Sequence, residues 1–546
     1  MSAESSIAEI LTHTPEDIKT AKRPVDKADL VRARVYQEKK YNINEIQYKV
    51  FINHDDTDAK ILITVRVVLS KDENNDENND EKIDLTSTDV VLDKEKPIAV
   101  YLVGGPGSDN PPTSQKALND FYLGKGFQIL YMDYRGTGSS NLLMGDNVAD
   151  KPILEGLDSS GQAKKLSLFR QDNIVRDLEA VRTSLVKDSK ITSAKKWTLI
   201  GQSYGGWVSF TYLSFYPQSL NMVIVTGGIP PVGQSAETVY KHTYKTVINA
   251  CDTFYNKYKH HEDSVRRILE FIGNQRTQDG QMGIDMKSGG ILTPERFLCL
   301  GRTLGTSDGD EKVNDDLNMC IKNIEEKGNL DDSLKEIERW LRFEERPLYA
   351  ILQESIYTEP GLPAAWAAEE VGKTLDEYWW LKDGAFNKVF NPAKSEDELF
   401  RKEHFDGKRI YMSAEHVYRF HFEQYKALRP LKGAAEILAN KTDWPPLFDT
   451  EQLSKNTVPI SSLCYDRDMF IDWTLSQNTV KKIPAETIVS AHSNDLMHTA
   501  VKDKPDLVLG LVWNGLIGAV EATARVEAAT RVGPQPKAED LIDLLQ

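Results

Sequence analysis

The sequence predicts an α/β protein with a mostly parallel, doubly wound sheet and a large helical lid inserted into it. Three observations predict this class. Apolar, strand-like runs alternate with helical segments between residues 97 and 228, and the runs end in glycine-rich loops. From residue 234 to roughly residue 440 the pattern is helical, and strand-like runs return at 458–464 and 485–491. Strands alternating with helices favour a parallel sheet whose carboxyl edge carries the functional loops.

Length and composition limit the classes of protein to consider. A chain of 546 residues exceeds what one compact core usually contains, so we expect two domains or a core with a large insertion. A hydrophobic content of 40% and a charged content of 27% are ordinary for a globular protein. The formal net charge of -16 argues against a nucleic-acid partner, because phosphate binding needs basic surfaces.

The cysteine spacing and the N-terminal segment favour a cytoplasmic protein. The four cysteines are far apart with no C-x-x-C spacing, so we expect free thiols, no metal site and no cofactor. The first residues show no secretory signal pattern. We expect no apolar stretch long enough to span a bilayer, and therefore no membrane partner.

The pattern along the chain predicts five regions. Residues 46–69 alternate like paired antiparallel strands at a sheet edge, and the acidic, low-complexity run 71–82 indicates a hairpin tip or a disordered loop. The tail is Ala/Val-rich and helical, which is typical of a packed helix or of an element for homo-oligomer association. The predicted regions are an N-terminal arm (1–45), a first core part (46–233), a helical lid (234–445), a second core part (446–505) and a C-terminal tail (506–546).

A short stretch in the middle of the core carries the main chemical motif. The apolar run 197–200 predicts a buried strand, Gly201-Gln-Ser-Tyr-Gly205 follows it, and 207–216 predicts a helix stopped by Pro217. Strand, G-x-S-x-G and helix in this order are the sequence form of a nucleophile elbow. The serine of such a turn is held in a strained conformation with its hydroxyl above the sheet. Ser203 is therefore the candidate nucleophile.

A hydroxyl nucleophile needs a base and an acid that orients the base. In hydrolases of the elbow type these follow the serine in the order acid, then histidine. The strand ending near Cys464 leads into Asp466 and Asp468, and the next strand leads into His492 and His498. We favour Asp468 and His498, with Asp466 and His492 as the alternatives. Without the elbow, these aspartates would be interpreted as turn formers, and Asp472 as a helix N-cap.

An early glycine-rich loop lies where an oxyanion hole is expected. Gly104-Gly-Pro-Gly107 follows the strand at 97–103, and the backbone N–H groups of Gly105 and Tyr204 are the candidate donors. A plain Gly-Pro turn is the alternative. The glycines of Gly136-Thr-Gly138 lack the spacing of a phosphate-binding loop, so no nucleotide is expected there.

Together these motifs resemble the proline iminopeptidases (prolyl aminopeptidases) of the α/β-hydrolase fold. The resemblance rests first on Gly104–Gly107, Asp133-Tyr-Arg-Gly-Thr-Gly-Ser139 and Gly201–Gly206, and covers roughly residues 45–505. Stretches at 346–357, 414–418 and 443–449 resemble the branch of that family with a larger lid. The chain departs from the smaller branch at Val103, where histidine often precedes the glycines.

The resemblance implies roles for particular residues. Ser203 would be the nucleophile, His498 the general base and Asp468 its orienting partner, acting on peptides with a free N-terminal proline. Glu354 and Glu415 would bind the substrate α-amino group; alone, each would be interpreted as an ordinary surface or salt-bridged glutamate. The alternatives are an esterase or amidase of the same fold acting on a small acyl substrate, and a binding protein without catalysis.

Overall fold

The computed structural model describes residues 23–70, 85–87, 90, 92–140, 152–187 and 191–531. The acidic run 71–82 and the end of the tail after residue 531 lie outside the described residues.

One large sheet organises the described part of the chain. Ten strands lie in the order β12-β11-β8-β7-β5-β6-β3-β2-β1-β4. These ten strands are β1 (Asp29–Glu38), β2 (Tyr41–Asn53), β3 (Asp56–Ser70), β4 (Leu85–Ser87), β5 (Ile98–Leu102), β6 (Gln128–Met132), β7 (Trp197–Gln202), β8 (Leu220–Thr226), β11 (Ile460–Tyr465) and β12 (Ile488–Ser493). Two further strands, β9 (Ile284–Asp285) and β10 (Ile291–Leu292), form a separate two-stranded sheet.

The sheet is parallel where the chemical motifs lie and antiparallel at one end. Strands β12, β11, β8, β7, β5 and β6 pair in parallel, whereas β3, β2, β1 and β4 pair antiparallel. The predicted fold class, an α/β-hydrolase fold with a mostly parallel sheet and a helical insertion, is confirmed.

The N-terminal boundary differs from the prediction. Residues 29–38, assigned to a surface arm, form β1, and β2 begins at Tyr41 rather than after residue 45. The first four of the ten residues of β1 are exposed and only Ala33 is fully buried, so its sequence lacks the apolar alternation that identifies a half-buried strand. The other predicted boundaries remain proposals.

Helices cover both faces of the sheet and build the insertion. The helices of the first core part are α1 (Lys116–Gly124), α2 (Ser159–Leu166), α3 (Gln171–Lys187) and α4 (Tyr204–Phe215). Those between β8 and β11 are α5 (Ala236–Lys257), α6 (His261–Asn274), α7 (Pro294–Leu298), α8 (Gly309–Lys327), α9 (Asp331–Trp340), α10 (Pro347–Leu352), α11 (Ala367–Lys373), α12 (Ala385–Phe390), α13 (Ser395–His404), α14 (His421–Gln424), α15 (Lys432–Ala439) and α16 (Thr450–Ser454). The last are α17 (Trp473–Val480), α18 (Ala500–Asp503) and α19 (Pro505–Arg531).

Alternate residues of the strands pack on opposite layers. Leu199 and Val223 belong to the larger core with α3, α4 and the insertion, whereas Ile200 and Ile224 belong to a second core with α1 and α19. All residues of α4 are buried, which explains why its sequence is apolar around its whole circumference. The insertion also contains a small antiparallel hairpin of β9 and β10.

The last described helix, α19, corrects one prediction. Residues 505–525 are long and apolar enough to cross a membrane by length and composition, with mean hydropathy 1.5, so the prediction that no stretch reaches this length was wrong. A core helix of a soluble protein passes the same test, and Val508, Val512 and Leu516 of α19 pack into the second core. The predicted cytoplasmic location and lack of a membrane partner stay predictions.

Candidate active site

The turn between β7 and α4 holds Ser203 in a strained conformation. Its backbone has φ 54° and ψ -123°, and residues other than glycine rarely adopt a positive φ. The residue after it, Tyr204, begins α4. The strand therefore presents Ser203 at the carboxyl edge of the sheet, as the G-x-S-x-G pattern predicted.

The glycines around Ser203 are required because backbone passes directly beside them. A Cβ on Gly205 would overlap the carbonyl oxygen of Leu102, and a Cβ on Gly206 would overlap that of Gly228. A Cβ on Gly201 would lie 2.5 Å from the carbonyl oxygen of Gly205. Backbone atoms of a packed sheet and helix cannot move aside cheaply.

Alanine at position 206 is expected to lower the free energy of unfolding by about 3 kcal/mol, because its methyl group has no room. Gly510→Ala is the matched control: Gly510 lies inside α19, and no neighbouring heavy atom lies within 4 Å of the place that an added methyl group would take. At position 510 the same change should raise the free energy of unfolding by up to about 1 kcal/mol, because alanine has a higher helix propensity than glycine. Chemical denaturation of both variants measures the difference, and equal effects would contradict the crowding argument.

His498 and Asp468 complete a hydrogen-bonded chain with Ser203. His498 Nε2 lies 2.9 Å from Ser203 Oγ, and His498 Nδ1 lies 2.7 Å from Asp468 Oδ2. Asp468 follows β11, His498 follows β12, and both are nearly removed from solvent, with exposed fractions of 2% and 9%. The other carboxylate oxygen of Asp468 accepts hydrogen bonds from the N–H groups of Phe470 and Ile471, which fixes its orientation.

The alternative residues pair with each other away from the serine. His492 Nδ1 lies 3.0 Å from Asp466 Oδ1, and the His492 side chain is 53% exposed. Asp472 accepts a hydrogen bond from the N–H of Leu475 and is the N-cap of α17. The structure thus brings Asp468 and His498 to Ser203 and leaves Asp466 and His492 in a surface pair.

The glycine-rich loop after β5 lies against the elbow. A Cβ on Gly104 would lie 2.8 Å from Gln202 Oε1 and 3.1 Å from the Cβ of Ser203, so the loop approaches the elbow closely at this glycine. Gly105 has φ 149° and Gly107 has φ 74°, values that glycine adopts readily. Tyr204 begins α4 directly after Ser203, and Gly105 belongs to the loop whose Gly104 lies against the elbow. Their role as oxyanion donors stays a prediction.

Glu354 is a buried carboxyl group in the helical insertion. It is 7% exposed, and its Oε1 accepts a hydrogen bond from the N–H of Ala368 at 2.8 Å. Burial raises the pKa of Glu354 to about 8, although the N–H groups of Ala368 and Ala367 lower it in part. A carboxyl group with a pKa raised in this way is poised to ionise when a cation enters beside it.

Glu415 lies nearer the histidine. Burial raises its pKa, and the charges of Arg302 and His498 act in the opposite direction. Its Oε1 lies 3.3 Å from Arg302 Nη2. Tyr240 interacts with both glutamates. Burial raises the pKa of its phenol, and the negative charges of Glu354 and Glu415 raise it further.

Several residues of the site were not identified from the sequence. The Phe470 ring packs on His498 with a centroid distance of 4.5 Å, and the Tyr357 ring packs against Trp207 and Tyr240. Tyr357 lies three residues after Glu354, and Phe470 lies two residues after Asp468. Their closeness in sequence to predicted site residues is the feature that could have identified them. No comparable signal pointed to Arg302 or Tyr240. Among the described residues, no group of three or more His, Cys, Asp or Glu side chains is arranged to hold a metal ion.

The four cysteines, Cys251, Cys299, Cys320 and Cys464, are predicted to be free thiols; they are free in the structure, and all four are buried. None of them takes part in the contacts of Ser203, His498 and Asp468 described above.

Known proteins resemble this chain in sequence and in fold. A family profile described as alpha/beta hydrolase fold matches residues 100–261. A proline iminopeptidase from Aeromonas sobria is 34% identical over 71% of this chain and 81% of its own length. A proline iminopeptidase from Aspergillus aculeatus is 28% identical over 77% of this chain and 85% of its own length.

Among solved structures, a proline iminopeptidase from Mycobacterium smegmatis is 12% identical, with a TM-score of 0.35 over 85% of this chain and 96% of that chain. The identity and coverage of the Aeromonas sobria relative show that the chain belongs to the proline iminopeptidase family.

Proposed function

We propose that this protein is a serine aminopeptidase that releases N-terminal proline from peptides through an acyl-enzyme. The observation that carries the proposal is the hydrogen-bonded chain from Ser203 through His498 to Asp468, beside an insertion that holds the buried Glu354 and the partly buried Glu415. Membership of the proline iminopeptidase family supports the same activity.

The geometry fits nucleophilic catalysis by Ser203. His498 Nε2 accepts the proton of Ser203 as its Oγ attacks the carbonyl carbon of the N-terminal proline, and Asp468 accepts the hydrogen bond from Nδ1 and stabilises the imidazolium. The imidazolium then gives its proton to the leaving amine, and an acyl-enzyme remains on Ser203. Water, deprotonated by His498, attacks this ester and releases proline.

The oxyanion of each tetrahedral intermediate would be stabilised by backbone donors. Tyr204 directly follows Ser203 at the start of α4, and Gly105 follows Gly104, which lies against Ser203. Donors fixed by backbone need no reorganisation during the reaction.

The glutamates would restrict the reaction to chain ends. A substrate ammonium placed between Glu354 and Glu415 would form charge-assisted hydrogen bonds, whereas an internal peptide nitrogen has no such charge to offer. The raised pKa of Glu354 suits this role, because the incoming cation compensates the cost of ionising a buried carboxyl group.

The decisive experiment compares substrates and one variant. Proline, alanine and leucine naphthylamides and a short-chain nitrophenyl ester are given to the wild type and to Ser203→Ala. We expect the proline amide to be preferred and its turnover to disappear in the variant. Ester turnover without amide turnover would instead identify an esterase, and turnover that does not depend on Ser203 would refute the proposal.

A further inference from the structure

A pocket rich in arginine adjoins the candidate active site. It is lined by the side chains of Arg302, Arg339, Arg342 and Arg346 together with Phe343 and Tyr349, and we call it the arginine pocket. Its cavity has a volume of about 130 Å³. Each of the four arginines also pairs with a carboxylate: Arg302 with Glu415, Arg339 with Glu336, Arg342 with Glu345 and Arg346 with Asp109. A guanidinium has five N–H donors, so a paired arginine can still donate to a further acceptor.

The arginine pocket contacts the site on two sides. The Arg302 guanidinium lies 3.3 Å from Glu415 and 5.5 Å from the ring of Phe470, which packs on His498. Arg346 donates to Ser108 Oγ and pairs with Asp109 at 2.6 Å, directly after the glycine-rich loop. The arginine pocket therefore extends from the base to the oxyanion loop.

Two donors of the arginine pocket lack partners among the described residues. The Arg302 Nε and the Tyr349 hydroxyl are buried with no hydrogen-bond partner in the described part of the chain. A buried donor without a partner is costly, which points to a ligand that accepts hydrogen bonds.

A fifth cation, Lys502, interacts electrostatically with Arg346 and Arg302. It follows His498 by four residues in α18, and its side chain is exposed. Desolvation by the surrounding protein lowers its pKa, and the charges of Arg346 and Arg302 lower it further.

We propose that the arginine pocket binds a carboxylate on the leaving side of the peptide, which makes short, zwitterionic peptides the preferred substrates. The inference rests on the proposed aminopeptidase function. Guanidinium groups bind carboxylates through paired hydrogen bonds, and Tyr349 adds a neutral donor. Glu415 interacts with the charge of His498, and Arg302 of the pocket contacts both Glu415 and the Phe470 ring that packs on His498. Two extended residues span only about 7 Å, so a short peptide bound at His498 can reach the arginine pocket.

The carboxylate has two chemical sources, the C-terminus of a dipeptide or an acidic side chain after proline. Four substrates distinguish them: Pro-Ala, Pro-Ala amide, Pro-Asp amide and Pro-Asn amide. The kcat/KM of each is measured for the wild type, Arg346→Gln, Lys502→Gln and the control Arg267→Gln. Arg267 forms an exposed pair with Glu325 in the insertion and does not line the arginine pocket.

The measured quantity is a ratio of two substrates on one enzyme, so loss of folded protein in a variant cancels. We expect the wild type to prefer the carboxylate over its neutral match by about 10-fold, the worth of a charge-assisted hydrogen bond, in the Pro-Ala pair, the Pro-Asp pair or both. Arg346→Gln and Lys502→Gln should each reduce that preference severalfold, and Arg267→Gln should retain it.

Equal rates for both members of each pair in the wild type would overturn the inference while leaving the aminopeptidase proposal intact. A preference unchanged in Arg346→Gln and Lys502→Gln would also overturn it. If none of the four peptides and no proline naphthylamide is cleaved, the proposed function fails and this inference fails with it.

Discussion

Replacing His498 by alanine is expected to lower kcat/KM for proline naphthylamide by about 10⁴-fold or more, because Ser203 loses its base. The matched change His492→Ala should leave kcat/KM within about twofold, since surface side chains rarely affect the reacting atoms. Both histidines lie at or just after the end of β12 and each pairs with an aspartate, but only His498 reaches the serine.

Thermal unfolding of both variants is the necessary control. Asp468 keeps its hydrogen bonds from the N–H groups of Phe470 and Ile471 when His498 is removed, so the fold should persist. Comparable losses of kcat/KM in the two variants would refute the assignment of His498 as the base. A loss of kcat/KM confined to His492→Ala would instead assign catalysis to His492 and Asp466.

The core strands and the elbow were predictable because their determinants are local. A buried parallel strand is a short, continuous apolar run, and the runs near Ile98, Gln128, Trp197 and Leu220 each became one. Strand β1 was missed because its first four residues are exposed at the antiparallel end of the sheet. The role of α19 in covering the sheet was undecided from the sequence, because an apolar helix gives no indication of what it packs against.

The site could be predicted only where residues follow strand ends. Ser203, Asp468 and His498 each follow a parallel strand, so sheet topology alone brings them to one edge. The choice between Asp466 and Asp468, two residues apart, depends on how the loop turns after β11, which spacing does not determine. Arg302 and Tyr240 come from distant helices of the insertion, and their placement follows from tertiary packing.

Glu354→Gln is expected to raise KM for free-amine substrates by roughly 10- to 100-fold, the equivalent of about 1.5–3 kcal/mol for a charge-assisted hydrogen bond. Glutamine fills the same volume and keeps an oxygen that can accept the hydrogen bond from Ala368, so only the charge is lost. Glu359→Gln is the matched control: this glutamate lies in the same segment, its pKa is also raised by burial, and its Oε2 accepts from the N–H of Leu447. Its KM should not change.

The pH dependence provides a second test of the same variant. Glu354 ionises near its pKa of about 8, so binding of an ammonium substrate by the wild type should strengthen as the pH rises from about 6 to about 8. Glu354→Gln should lose this increase, because glutamine does not ionise.

Stability should move in the opposite direction from substrate binding. A carboxyl group whose folded-state pKa is raised from its ordinary value of 4.5 to about 8 stabilises the fold at low pH, and this contribution is lost as the pH rises from 4.5 through 8. At pH 8 and above, Glu354→Gln should therefore unfold at a higher temperature than the wild type while binding free-amine substrates less well. A variant that is less stable and also binds less well would indicate misfolding, and one that binds as well as the wild type would remove Glu354 from the amine site and leave Glu415 as the candidate.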